Sequence, residues 1–290
     1  MDPQINQVAV LGMGTMGAGI AQLVAQSRYE VTVLETDEER ATAGTDRVRA
    51  FLDTGVARGK VTEAARDETL SRIRTTTSIA DLAGSDLVIE AVVENRDAKR
   101  ELFTSVAAVV GAHSVLVTNT SALSVSDLAA AVPDPTRFGG LHFFNPAPLM
   151  RVIEVVQALQ TPGALIERLT AFVESLGKTP VVVKDRPGFL VNHLLMPYLN
   201  DVIQEFDNEL ASAEDIDVAI TLGLGHKLGP LELLDLIGLD VHRHATESAY
   251  EATRDPRFTP PPLLQQMVVA GRLGNKCGSG FRTGMEGSDS

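Results

Sequence analysis

Three observations predict an α/β fold, a doubly wound parallel sheet followed by a smaller all-helical domain. Short apolar, β-rich runs alternate with helical segments through the first half of the chain. A glycine-rich turn joins the first of these runs to the first helical segment. The texture changes at Pro187-Gly188, and beyond it the pattern is helical.

Each element has its own signal. Val8–Leu11, Val31–Leu34, Leu87–Ile89 and Val115–Val117 are short β-rich runs that read as buried parallel strands. Between them, Met16–Gln26, Glu38–Val56 and Arg96–Val109 have helical composition. Repeated βα units of this kind build a parallel sheet with helices on both faces. Val152–Val156 and Val181–Val183 read as further strands, with a helix over Ala164–Leu176. After Pro187-Gly188, the residues Val191, Leu194, Leu195, Tyr198, Leu199, Val202, Ile203 and Phe206 recur at helical spacing. Pro197 should kink that helix. Further helices are expected at Ala213–Thr221, Pro230–Arg243 and Leu263–Ala270. The expected division is therefore a sheet domain at 1–186 and an all-helical domain at 187–290.

Composition narrows the class. The chain has 290 residues, 44% of them hydrophobic, enough for about two cores. A net charge of −13 argues against a nucleic-acid or anionic-membrane partner. Cys277 is the only cysteine, so no intramolecular disulfide can form, and a reducing cytoplasm is the expected setting. The polar start, Met1 to Gln7, lacks the basic and apolar regions of a signal peptide. No apolar run approaches the roughly 18 residues of a membrane span. The tail from Gly284 to Ser290 is polar and expected to fray.

The glycine-rich turn is Gly12-Met13-Gly14-Thr15-Met16-Gly17, a G-x-G-x-x-G loop between a strand and a helix. In that setting Gly12 permits the tight turn, and Gly14 lets the backbone approach a pyrophosphate. Gly17 lets the helix pack closely, and the helix N-terminus, with Thr15 and Met16 in its first turn, faces the phosphates. Glu35 follows the second strand, eighteen residues after Gly17. Its carboxylate can bind a ribose and would repel a 2′-phosphate, which favours NAD over NADP. The first domain is thus expected to be a Rossmann-type NAD-binding domain.

A second signal lies at Leu141-His142-Phe143-Phe144-Asn145-Pro146-Ala147-Pro148. A histidine before two phenylalanines is, by itself, as well explained by a core position. Twelve residues on, however, Glu154 sits inside the apolar run Val152–Val156. A carboxylate there is costly unless paired. His142 and Glu154 therefore form a candidate dyad.

These blocks resemble the 3-hydroxyacyl-CoA dehydrogenase family, in particular bacterial 3-hydroxybutyryl-CoA dehydrogenases, from about Val8 to Phe281. The resemblance rests on the Gly12–Ala21 loop and helix, the Ile89–Asn95 and Asn119–Leu123 segments and the His142–Pro148 block. It continues through Pro187–Asn192 and from Leu228 to Asp240. It implies an NAD-linked oxidoreductase acting on a (3S)-3-hydroxyacyl thioester. His142 would be the general base, supported by Glu154. Ser121 and Asn192 would bind substrate near the reacting carbons, and Ser121 would also border the cofactor. Asn145, Glu94, Lys99 and Lys276 would contact cofactor. It also implies a homodimer through the helical domain.

Plainer readings stand beside these. Ser121 could cap a helix over Leu123–Ala130, Asn192 could cap the helix after Gly188, and Lys99 could be a solvated helix charge. His193 follows Asn192 at a place where relatives often have Arg. His242 and His244 are two apart and cannot share a helix face, so no metal site is expected. One departure from the family concerns the carrier arm of the thioester. Phe51 occupies a position that is usually small and polar, and Thr54, Gly55 and Ala57 stand where basic residues are common. Arg49, Arg58 and Lys60 remain. The substrate is accordingly an acyl-CoA or, alternatively, a thioester on an acyl carrier protein, as in polyketide extender-unit biosynthesis. A non-catalytic NAD-binding relative is a further alternative, against which the intact set His142, Glu154, Ser121 and Asn192 speaks.

Overall fold

The computed structural model describes residues 5–282. The polar N-terminal start before Ile5 and the tail expected to fray lie outside them. The described chain forms two compact units that divide between Asp185 and Arg186.

The first unit is an eight-stranded sheet in the order β3-β2-β1-β4-β5-β6-β7-β8. Its strands are β1 (Gln7–Leu11), β2 (Glu30–Leu34), β3 (Ile73–Thr76), β4 (Leu87–Glu90), β5 (Val115–Thr118), β6 (Phe138–Phe143), β7 (Val152–Gln157) and β8 (Thr179–Lys184). Its helices are α1 (Thr15–Gln26), α2 (Glu38–Ala57), α3 (Glu63–Ser71), α4 (Arg96–Ala107), α5 (Val125–Ala129) and α6 (Gly163–Ser175). The doubly wound sheet expected from the βα alternation is present. The unbroken apolar runs follow from burial on both faces. Val8, Val10, Leu87, Ile89, Val115 and Val117 pack with Ile20 and Val24 of α1 and Leu169 and Phe172 of α6. The two-residue period turns Ala9, Leu11, Val88 and Leu116 the other way, where they are equally buried. There Phe103 of α4 meets Phe138 edge-on, ring centroids 4.7 Å apart.

Four elements differ from the sequence-based expectation. The sheet is not parallel throughout: β7 runs antiparallel to β6, and β8 follows β7. Strands β3 and β6 and helix α3 were not expected. β3 has only Ile73 as an aliphatic, β6 carries two glycines and a histidine, and α3 has no apolar stripe.

The chain leaves β1 toward β2 and β3, then returns to place β4 on the other side of β1. The strand order therefore reverses between β1 and β4, and the crevice beyond their carboxyl ends is where such sheets bind ligands.

The second unit is helical: α7 (Val191–Asp207), α8 (Ala213–Leu224), α9 (Pro230–Ile237), α10 (Leu239–Thr253) and α11 (Pro262–Val269). Its core gathers Leu199, Ile203, Leu231, Leu234, Leu239, Leu264 and Phe281. The single helix expected over Pro230–Arg243 is two, because Gly238 adopts φ +97° and breaks it. Pro197 is accommodated inside α7. Asn192 lies within α7, whose N-cap is Leu190, so it is not the cap of that helix.

Candidate active site

The β1–α1 loop shows why each glycine is there. Gly12 has φ +90°. A Cβ on Gly17 would fall 1.9 Å from the Gly12 carbonyl oxygen, so the helix could not approach the loop with any larger residue. Gly14 is different: a Cβ there would meet no protein atom within 4 Å. Packing does not demand glycine at this position, and the open space suits a phosphate. No side chain among the described residues caps the first turn of α1, which has no acidic residue. Its amides and positive dipole end therefore face the same space.

Glu35 Oε1 accepts from the Met13 amide at 2.6 Å, and its other oxygen accepts from the Thr36 amide at 2.9 Å. The carboxylate thus orders the loop as well as bordering an apolar cleft formed with Gly12, Thr36, Thr77, Ile79, Val92 and Leu102. These features fit the adenosine and pyrophosphate of NAD.

A cavity of about 520 Å³ runs from Gly14, Thr15 and Met16, past Val92, Glu94 and Lys99, to Asn119, Ser121, His142 and Asn145. Most of these residues sit just beyond the carboxyl ends of β1, β4 and β5 or on β6. Eight expected residues of the sheet unit, Gly14, Thr15, Met16, Glu94, Lys99, Ser121, His142 and Asn145, thus share one wall.

His142 and Glu154 face each other as register partners on the antiparallel pair β6–β7. Directly opposed side chains project to the same face of a sheet. His142 Nδ1 lies 2.6 Å from Glu154 Oε2, and Glu154 is fully buried. The twelve-residue spacing is the length of chain that turns from β6 into β7. With Nδ1 on the carboxylate, Nε2 lies on the side of the ring away from Glu154. Phe144 packs against the imidazole, centroids 4.6 Å apart. The Asn119 side-chain oxygen accepts from the Phe143 amide at 2.9 Å and ties the end of β5 to β6.

Lys99 is not a solvated helix charge. It is 1% exposed, and its ammonium contacts Glu90 at 2.8 Å and Glu94 at 2.9 Å. Burial pulls the Glu94 carboxyl upward, but the Lys99 ammonium and the Thr120 hydroxyl outweigh it and hold it below the usual carboxylate range. Ser121 is not a helix cap either; Ser124 caps α5 by accepting from the Asp127 amide. Thr120 donates to Glu94 and accepts from the Leu123 amide at 2.9 Å, which shapes the turn that presents Ser121. Glu90, fully buried at the end of β4, is a site-forming residue that sequence reasoning missed. Its signal was available: an acid closing an apolar strand needs a partner, as Glu154 does.

In the helical unit Lys276 pairs with Asp240, and His242 is buried against Asn200, where burial pushes it down to about 4. No group of three metal-ligating side chains occurs among the described residues. A second, smaller cleft is lined by Thr15, Gly19, Arg47, Phe51, Asn145 and Pro148. Phe51 is 37% exposed there, and Arg47 is engaged with the Met13 carbonyl at 2.8 Å.

Comparison with known proteins bears on this arrangement. Residues 7–186 match the family model described as "3-hydroxyacyl-CoA dehydrogenase, NAD binding domain". Residues 188–284 match "3-hydroxyacyl-CoA dehydrogenase, C-terminal domain". The chain is 44% identical over 285 residues to a 3-hydroxybutyryl-CoA dehydrogenase of Mycobacterium tuberculosis, covering 98% of this chain and 100% of that one. Its fold resembles the crystal structure of M. tuberculosis FadB2, with a TM-score of 0.93 and 44% identity over 97% of this chain and 99% of that one. It is likewise similar to the (S)-3-hydroxybutyryl-CoA dehydrogenase PaaH1 of Ralstonia eutropha, with a TM-score of 0.93, 38% identity and the same shares covered.

Proposed function

The chain belongs to the 3-hydroxyacyl-CoA dehydrogenase family and is an NAD-dependent oxidoreductase, and from that premise we propose that it interconverts a (3S)-3-hydroxyacyl-CoA of the 3-hydroxybutyryl type and the 3-oxoacyl-CoA. The observation that carries the proposal is the His142–Glu154 pair on the wall of the cavity that begins at the Gly14 loop. His142 Nε2 takes the proton of the C3 hydroxyl as the C3–O bond becomes a carbonyl. NAD, when bound, accepts the hydride from C3. Glu154 holds the Nδ1 proton, fixing the tautomer, and stabilises the imidazolium that forms. Ser121 hydrogen-bonds the thioester, while Glu94, Lys99 and Asn145 border the cofactor. Asn192 and Lys276, carried by the helical unit, keep the substrate and cofactor roles that the family resemblance implies.

Acetoacetyl-CoA and the same acyl group on a carrier protein, each with NADH and NADPH, test the substrate. Consumption of NADH with acetoacetyl-CoA is the expected result, with NADPH a poor substitute. Phe51 in its apolar cleft is the observation that favours the carrier-protein reading. Turnover of the carrier-bound substrate alone would select it, and turnover of neither would overturn the proposal.

The helical unit is proposed to dimerise. Leu231, Leu234 and Leu239 are buried in its own core, but Leu236 is 59% exposed and Leu222 82%. In a dimer through this unit these side chains would be among those covered. Light scattering at micromolar concentration should give twice the mass of the 31.0 kDa chain; the mass of one chain at every concentration would refute it. No helix among the described residues is long and apolar enough to cross a membrane. A cytoplasmic location is part of the same proposal.

A further inference from the structure

The cavity wall contains a charge cluster that the proton-transfer chemistry does not use. Glu90 is fully buried and Lys99 is 1% exposed. The Lys99 ammonium lies 2.8 and 3.0 Å from the two Glu90 oxygens and 2.9 Å from Glu94. Glu90 also accepts from the Val92 amide at 2.8 Å and the Thr118 hydroxyl at 2.7 Å. Donors meet both Glu90 oxygens, the arrangement a carboxylate accepts. Glu94 is held ionised by Lys99 and Thr120. Two carboxylates against one ammonium leave the cluster with one net negative charge.

A bare Glu–Lys pair would have sufficed to bury the lysine, so the second carboxylate is a surplus. Lys99 and Glu94 both line the cavity that joins the Gly14 loop to His142. A hydride acceptor reaching His142 from that loop must lie along this wall. Nicotinamide carries a positive charge when oxidised and none when reduced. A fixed negative charge on that wall therefore distinguishes the two forms.

We propose that the Glu90–Lys99–Glu94 cluster biases the cavity toward the oxidised cofactor, with Glu90 as a positioning residue that acts through Lys99. Glu90 anchors the ammonium, so Lys99 neutralises one carboxylate and leaves the other to face the ring. The inference rests on the cofactor reading above. Binding of NAD⁺ and NADH to the unaltered protein tests that reading before any variant is compared.

The test is the ratio of the two dissociation constants, from calorimetric titration of NAD⁺ and fluorescence titration of NADH. Glu90→Gln brings the cluster to zero net charge and should move the ratio about tenfold toward NADH. Tenfold corresponds to about 30 mV in the potential of a bound two-electron couple. Glu90→Gln/Lys99→Gln restores the net charge through Glu94 and leaves no buried ion unpaired. It should return the ratio to within about twofold of the starting value. Glu94→Gln, on the partly exposed member, removes the same charge without opening the core and should shift the ratio in the same direction. That variant decides the matter if Glu90→Gln does not fold. Equal weakening of both cofactor forms, or a double variant that keeps the single variant's ratio, would overturn the proposal, since a purely structural Glu90 predicts those results.

Discussion

Replacing His142 by alanine is expected to lower kcat by about 10²–10⁴-fold, the range for removing a general base. NAD affinity should remain nearly intact, since the proposed dinucleotide site is the Gly12–Gly17 loop with Glu35, not the imidazole. Glu154→Gln keeps the shape, and its amide oxygen can still accept from Nδ1. It removes the charge that supports the protonated imidazole formed in the reaction, so kcat for oxidation should fall, though by less than in His142→Ala. The double variant should be little worse than His142→Ala, since Glu154 then has nothing to support. Its burial makes the glutamine a better probe than alanine, which would leave a cavity in β7. Near-normal turnover in His142→Ala would end the assignment. Strictly additive losses in the double variant would instead give Glu154 a role apart from His142.

Gly17→Ala should be nearly as damaging, by another route. The added Cβ would stand 1.9 Å from a backbone oxygen, and backbone cannot swing aside as a side chain does. The loop or α1 must move, at a stability cost of about 1–3 kcal/mol. A displacement of about 1 Å in a binding loop can cost about a hundredfold, and NAD affinity should fall on that scale. Gly14→Ala provides the contrast. Its Cβ meets no protein atom within 4 Å, so the thermal midpoint should hold while NAD affinity drops. Calorimetry and NAD titration on both variants check the pair. A Gly14→Ala protein that binds NAD normally would mean that the open space above the loop is not the phosphate site.

The parts of this molecule that were legible in its sequence are those written in local pattern. The strands β1, β4 and β5 are buried on both faces over their apolar runs, and β2 shows the same β-rich signal with Thr32 half-buried. The Gly12–Gly17 loop combines a spacing with a strand before it and a helix after it. His142 and Glu154 were visible because an acid in an apolar run demands a partner. What stayed hidden depends on distant residues. β6, with Gly139, Gly140 and His142, has weak strand propensity by itself and exists because β5 and β7 flank it. The direction of β7 cannot be read from Val152–Val156, since apolar runs look alike either way. Lys99 has the composition of a surface helix charge, and only Glu90 on the neighbouring strand end draws it inside. The break in the helix after Ile237 turns on one backbone angle at Gly238.

The antiparallel meeting of β6 and β7 also says where this scaffold can change. The distance between His142 and Glu154 is set by the hydrogen-bonded ladder, not by the segment 144–151 that joins the two strands. That segment supplies Phe144 and Asn145 to the cavity wall and Pro148 to the cleft beside Phe51. Exchanges within it away from Phe144 and Asn145 reshape the neighbouring cleft while the His142–Glu154 pairing stays in place. A one-residue slip of either strand is the opposite case: it would turn one partner to the far face of the sheet. The fold thus separates a joining segment, open to engineered revision, from a paired geometry that the β6–β7 ladder maintains.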